Sequence, residues 1–311
     1  MLLEIPIGSN DAGQRAERFL RKYLPSIGLS RLHSLFRRKE IKVAKKAVER
    51  GHVLRAGDVL QVYGLKPEEA QRPDPAQPVP IHSDPVPVVY EDDEILVVNK
   101  PAGVASHPGT GIEPGASLIE RVLAQLGGAK EQWSGEVFSP SLVHRLDKET
   151  SGVLLIAKTG PRLRELTAAL RNGEIRKRYL ALVVGHPQPA SGEIDAPLER
   201  GDSASGAKSR IEEGGRRAFT QYRTVKTVGD YALLQVVIET GRMHQIRAHL
   251  SHIGHPIVGD TRYDKPADAR RHLRELGLKR LFLHAEELAW EENGKMRTFR
   301  APLPEDLQKI V

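Results

Sequence analysis

Val143-His144-Arg145-Leu146-Asp147-Lys148-Glu149-Thr150-Ser151-Gly152-Val153, continued by Leu154-Leu155-Ile156-Ala157, joins a charge-dense loop to an unbroken apolar run. Such a run reads as a strand buried on both faces, and a polar loop held by a rigid element is where reactive groups concentrate. Taken alone, Arg145 and Asp147 also fit a surface ion pair, and Thr150-Ser151-Gly152 also fits a plain turn. Further strands are predicted at 94–98, 179–184 and 233–238, and helices at 117–126, 161–171 and 243–253. There are too few helices to cross over after every strand. The pattern therefore predicts an α+β domain over 88–311, with a mixed, largely antiparallel β-sheet flanked by helices.

A second polar stretch, Thr240-Gly241-Arg242-Met243-His244-Gln245-Ile246-Arg247-Ala248-His249, lies on the last of those helices. Met243, Ile246, Leu250 and Ile253 follow helical spacing and are expected to face the core. That places His244, Arg247 and Ser251 on a neighbouring, less buried face. A helix carrying solvated polar groups is the plainer reading. The series His244, His249, His252 and His255 also invites a metal, but the segment holds no carboxylate to complete a catalytic set and the spacings match no zinc pattern. No metal is expected.

Upstream of residue 88 the composition changes. From 66 to 87 prolines recur every few residues and apolar periodicity disappears, which predicts an extended, semi-rigid linker. Residues 1–65 read as a small α/β module. Phe19, Leu20, Tyr23 and Leu24 form one helical stripe. Ser30 is placed as N-cap of a second helix, in which Leu32, Leu35 and Phe36 point inward while Arg31, Arg37, Arg38 and Lys39 stay in water. Short strands follow at 41–43 and 59–62.

Charge is concentrated in the same module. The 311 residues carry a formal +7, yet Gln14 to Arg50 holds twelve Lys or Arg against three Glu, so the rest of the chain sums to about −2. A local surplus of this kind suits a polyanionic partner. The absence of cysteine excludes a disulfide framework, a thiolate zinc site and a cysteine nucleophile. No apolar segment is long enough to span a membrane, and no basic-then-apolar leader opens the chain, so a soluble, cytoplasmic protein is expected.

The run at 143–153 resembles the signature of the RluA family of pseudouridine synthases. Around it stand Asn99-Lys100-Pro101-Ala102-Gly103 with His107-Pro108, then Lys177-Arg178-Tyr179, Ala218-Phe219-Thr220-Gln221-Tyr222, the 241–249 run, Gly254-His255-Pro256-Ile257, Gly259-Asp260-Thr261-Arg262-Tyr263 and Leu283-His284-Ala285. These similarities fall in the expected order across about 88–303. The basic module is similar to a small S-four-like RNA-binding domain, with Ala44-Lys45-Lys46 where Asn-Gly-Lys often stands.

The resemblance implies an isomerase that detaches uracil from its ribose, turns it and rejoins it through a ring carbon. That reaction needs no cofactor, but it needs an ionised carboxylate in a pocket that excludes water. The resemblance assigns that role to Asp147, with Arg247 as its charge partner, Tyr179 stacked on the uracil and Leu283 in the pocket wall. Arg145 would fill the space that an everted base leaves, and His107 stands near the site as support or RNA contact. Arg31, Arg37, Arg38 and Lys39 become candidate RNA contacts, while His144 and Thr150 are expected to shape the loop. The implied partner is RNA, large-subunit ribosomal RNA before transfer RNA, bound by a monomer. A non-catalytic RNA-binding or ribosome-assembly factor and a metal hydrolase are the competing readings, and neither gives Asp147, Tyr179 and Arg247 a shared purpose.

Overall fold

The computed structural model describes residues 1–70, 84–127, 138–199, 201 and 208–311. Its first part runs β1 (Leu3–Pro6), α1 (Ala16–Tyr23), α2 (Leu29–Arg37), β2 (Ile41–Val43), β3 (Lys46–Ala47) and β4 (Val59–Val62), with the strands in antiparallel order β1-β4-β2-β3. The apolar stripes of both helices meet this sheet, burying Phe19, Leu20, Leu32, Leu35, Ile41 and Leu60 in one cluster. Helix α2 begins earlier than expected. Its N-cap is Gly28 in extended conformation, and Ser30 lies inside the first turn. Between β2 and β3 the two turn residues Ala44 and Lys45 both have positive φ, 48° and 64°, the geometry that Asn-Gly adopts at least cost.

The expected linker starts with one helical turn, α3 (Pro67–Ala70). It is tied back by Glu69, whose carboxylate accepts from the Lys66 backbone and from Arg31. Most of that linker, 71–83, lies outside the described residues.

The larger part runs β5 (Val88–Glu91), β6 (Ile95–Lys100), α4 (Leu118–Gln125), β7 (Ser141–Leu142), β8 (Ser151–Ala157), α5 (Gly160–Arg171), β9 (Arg176–Val184), β10 (Ser191–Asp195), β11 (Leu198–Glu199), β12 (Arg210–Ile211), β13 (Phe219–Val228), β14 (Tyr231–Ile238), α6 (Gln245–His252), α7 (Pro266–Glu275), β15 (Leu283–Glu292), β16 (Lys295–Arg300) and α8 (Glu305–Gln308). The main sheet has the order β10-β13-β14-β9-β15-β8-β6-β5, with β7 beside β8 and β16 beside β15. It is a mixed, largely antiparallel sheet. Its parallel pairing joins β8 to β15, where Ser151 faces His284 and Gly152 faces Ala285.

Gly152 makes that pairing possible. Its φ is 120°, and a Cβ there would lie 2.1 Å from the Ala285 carbonyl oxygen, closer than any side chain tolerates. Strand β8 is buried at every position, which explains its unbroken apolar sequence. Helix α4 starts where expected, because Ser117 and Glu120 form a capping box.

The two parts touch at the start of α5. The Gly160 amide donates to Asn10 Oδ1 at 2.9 Å, Arg164 reaches the Ser9 carbonyl at 3.4 Å, and a Cβ on Gly160 would sit 2.0 Å from the Asn10 carbonyl oxygen. Among the described residues no helix is long and apolar enough to cross a membrane.

Candidate active site

The loop between β7 and β8 carries Asp147 at the sheet's centre. Val143 and Leu146 bury their side chains beneath it, and the Thr150 amide closes a turn on the Asp147 carbonyl at 3.1 Å. The segment after β6 clamps the loop from below. Ser106 donates its hydroxyl to the Leu146 carbonyl at 2.7 Å and accepts the Leu146 amide at 3.1 Å, while the Gly103 amide donates to the Lys148 carbonyl at 2.8 Å.

Lys100, fully buried, completes the clamp by donating to the carbonyls of Pro101, Val104 and Lys148 at 2.9, 2.7 and 3.1 Å. Burial pushes its pKa down to about 7 against the pull of Glu149 and Asp147. His144 shapes the loop as expected: its Nε2 accepts the Leu155 amide at 3.2 Å, and burial lowers its pKa to about 3, so it is neutral. Thr150 is buried too, but its hydroxyl has no partner among the described residues.

Asp147 faces a cavity of about 300 Å³ lined also by Arg145, Thr150, Lys177, Tyr179, Arg247 and Leu283, near the lower end of the roughly 300–1,000 Å³ of small-molecule sites. Arg247 Nη1 donates to Asp147 Oδ2 at 3.2 Å. Behind it, Arg247 Nε and Nη2 grip Asp260 Oδ2 and Oδ1 at 2.7 and 2.8 Å, and Asp260 also accepts the amides of Arg262 and Tyr263. These two carboxylates hold Arg247 firmly charged despite its burial. Tyr179 lies on the cavity floor, where burial and the nearby Asp147 charge keep its phenol protonated.

The helix bearing Arg247 departs from expectation. His244 has a left-handed backbone, φ 53°, so α6 starts only at Gln245, and Met243 stays outside it, half-buried. Arg247 is 7% exposed rather than on a wetter face, because the buried Asp260 supplies the charge that lets it turn inward. Gln245 pins the helix start. Its amide donates to the Phe219 carbonyl and Thr220 hydroxyl and accepts from Thr240 and the Arg242 amide. Sequence alone assigns Asp260 no role, because nothing in its local pattern points to a residue thirteen positions earlier.

Three of the four histidines of this region serve separate partners. His244 meets Tyr263, His249 meets Thr220 and the Ala196 carbonyl, His255 meets the Val184 carbonyl, and His252 lies exposed. Leu283 lines the cavity from β15. Arg145 is exposed at the mouth, and His107 has its pKa lowered by partial burial and then by the nearby Arg145 charge. In the basic module Arg37, Arg38 and Lys39 are exposed and make no ion pair among the described residues, whereas Arg31 is held by Glu69 and the Gly64 carbonyl.

Comparison with known proteins places this geometry in context. Residues 94–252 match the family described as RNA pseudouridylate synthase. Over 99% of its length the chain is 36% identical to the ribosomal large subunit pseudouridine synthase C of Vibrio cholerae serotype O1, covering 95% of that protein. Identity and coverage are the same for the protein so named in Escherichia coli K12. Among solved structures, human RNA pseudouridylate synthase domain containing 4 is similar with a TM-score of 0.56 and 25% identity, over 72% of this chain and 90% of that one.

Proposed function

The chain belongs to the RNA pseudouridylate synthase family, and we propose that it isomerises particular uridines of large-subunit ribosomal RNA with Asp147 as the reacting carboxylate. The observation that carries this reading is the placement of Asp147 in a cavity of about 300 Å³, 3.2 Å from Arg247 and beside Tyr179. In the reaction the bond from ribose C1′ to uracil N1 breaks and one from C1′ to C5 forms; C5 gives up a proton and N1 gains one. Nothing is added, so every task falls to side chains. Asp147 acts as nucleophile or base, Arg247 fixes its orientation, Tyr179 offers a ring face to the uracil, and Leu283 keeps the wall apolar.

Access requires the uridine to leave its stack, at a cost of a few kcal/mol. Arg145, exposed at the mouth, is suited to occupy the vacated place, with His107 beside it. Arg37, Arg38 and Lys39 offer the backbone a basic face; Arg31 contributes less, being held by Glu69. The relatives named for the large ribosomal subunit align with the basic module as well as the catalytic sheet, which favours that RNA over transfer RNA. One chain supplies every group named, so a monomer suffices.

The test replaces Asp147 by Asn and measures pseudouridine in large-subunit ribosomal RNA taken from cells lacking this protein. Wild type should form product, and the variant should stay at background while binding the RNA. Equal product from both removes Asp147 from the chemistry, and binding without product by wild type leaves only an RNA-binding factor.

A further inference from the structure

Alternate residues of a strand share a face, so on β9 Lys177 and Tyr179 point the same way, and both line the cavity with Asp147. Arg178, between them, points to the other face, where Glu286 and Glu287 each hold it at 2.8 Å. Lys177 has no such counter-ion. Among the described residues no carboxylate lies within ion-pair distance of it, and its Nζ reaches only the carbonyl oxygens of Glu239 and Thr240, at 3.5 and 3.4 Å. Both distances are at the outer limit of a hydrogen bond. The residue is 3% exposed, and burial with the nearby Arg242 brings its pKa to about 8.

A buried ammonium with slack hydrogen bonds costs stability, and it becomes intelligible if an acceptor arrives from outside. RNA offers phosphate oxygens and base carbonyls. Phosphates remain with the backbone at the mouth, where the exposed Arg145 and half-buried Arg242 stand. Lys177 is rooted in β9 two residues from Tyr179, the ring that the proposed function stacks on the uracil. Uracil brings carbonyl oxygens, O2 and O4. When the C1′–N1 bond breaks, its electron pair stays on the base and spreads over N1 and both of these oxygens.

We propose that the Lys177 ammonium donates to a carbonyl oxygen of the everted uracil and strengthens that bond as negative charge builds on the departing ring. Lys177 keeps its protons throughout. The electron pair returns to the new C5–C1′ bond, the C5 proton leaves to a base, and N1 is protonated. Donors aimed at charge that develops during reaction affect the rate more than the affinity. This inference rests on the pseudouridine synthase reading above.

The test uses single turnovers on large-subunit ribosomal RNA from cells lacking this protein. Lys177→Met should slow pseudouridine formation roughly 100-fold, the size seen when a donor to developing negative charge is lost, with RNA affinity within about three-fold of wild type. In Lys177→Ala, n-propylammonium should restore part of the rate and 1-propanol should not, a contrast that mere filling of space cannot produce. A Lys177→Met rate within about three-fold of wild type overturns the proposal. Equal rescue by 1-propanol, or a loss carried by affinity alone, does the same. Absence of product from wild type removes the family reading first, and this inference with it.

Discussion

Asp260 grips Arg247 through two hydrogen bonds of 2.7 and 2.8 Å, and Arg247 passes its remaining nitrogen to Asp147 at 3.2 Å. The Asp260 side chain has no solvent exposure and that of Asp147 has 26%, so the relay runs from core to cavity. Its inner end is structural, and its outer end is the carboxylate to which the proposed function gives the chemistry. Asp260→Ala should cost about 3–5 kcal/mol of stability, because it leaves a buried guanidinium with one of its two counter-charges. A fall in urea midpoint is the readout; a midpoint equal to wild type would mean that Asp147 alone neutralises Arg247.

Gly152→Ala should fail to yield folded protein, since its Cβ would meet the Ala285 backbone at 2.1 Å. Gly103→Ala is the control. There φ is also positive, 82°, but nothing lies within 4 Å of a Cβ, so only the left-handed backbone is penalised, by about 1–2 kcal/mol. Soluble yield and thermal midpoint of the two variants, measured together, separate collision from conformational strain.

Lys100 sets a pH dependence. Its folded pKa, about 7, lies below the 10.5 of an unfolded lysine, so between those values the unfolded chain binds more protons and this group's contribution to stability rises with pH. The contribution is complete above 10.5 and lost as pH falls through 7. Urea unfolding of wild type and Lys100→Met from pH 6.5 to 9.5 should therefore show a gap that shifts in favour of wild type with rising pH; parallel curves would place the Lys100 titration elsewhere. The variant should also be the less stable of the two at pH 9, because the carbonyls of Pro101, Val104 and Lys148 lose their donor.

Much of the fold was legible because β6 and β8 carry unbroken apolar runs, Ile95 to Val98 and Val153 to Ala157. Strand β8 is buried at all positions, and the loop of Asp147 ends on it. The helix of Arg247 was misread in one respect: periodicity put Met243 in the core and Arg247 toward water, since no sequence pattern reveals that Asp260 waits inside as a buried counter-charge. Strand β15 hides for the same reason. Glu287 is buried within it, but its partners Arg178 and Arg300 come from flanking strands β9 and β16. Asp147 and Tyr179, which line one cavity, could be singled out as candidates because each sits in a local motif; the clamp of Lys100 and Ser106 could not, because its bonds go to backbone groups, which leave no trace in sequence.

The β2–β3 turn offers a stabilising change. Ala44 and Lys45 occupy left-handed positions that Asn-Gly takes with less strain. Replacing them by Asn and Gly together should raise the stability of the basic module by about 1 kcal/mol, less whatever glycine adds to the freedom of the unfolded chain. Hydrogen exchange of the Ile41–Val43 and Val59–Val62 amides would report it, and unchanged protection would show that the turn bears no strain.

The missing side chain of Gly160 lets the Asn10 backbone settle directly on the start of α5. Under the proposed function, that docking would hold basic face and cavity at one separation, and the molecule would work as a ruler: a uridine would be chosen by its span from the anchored stretch of RNA as well as by its own surroundings.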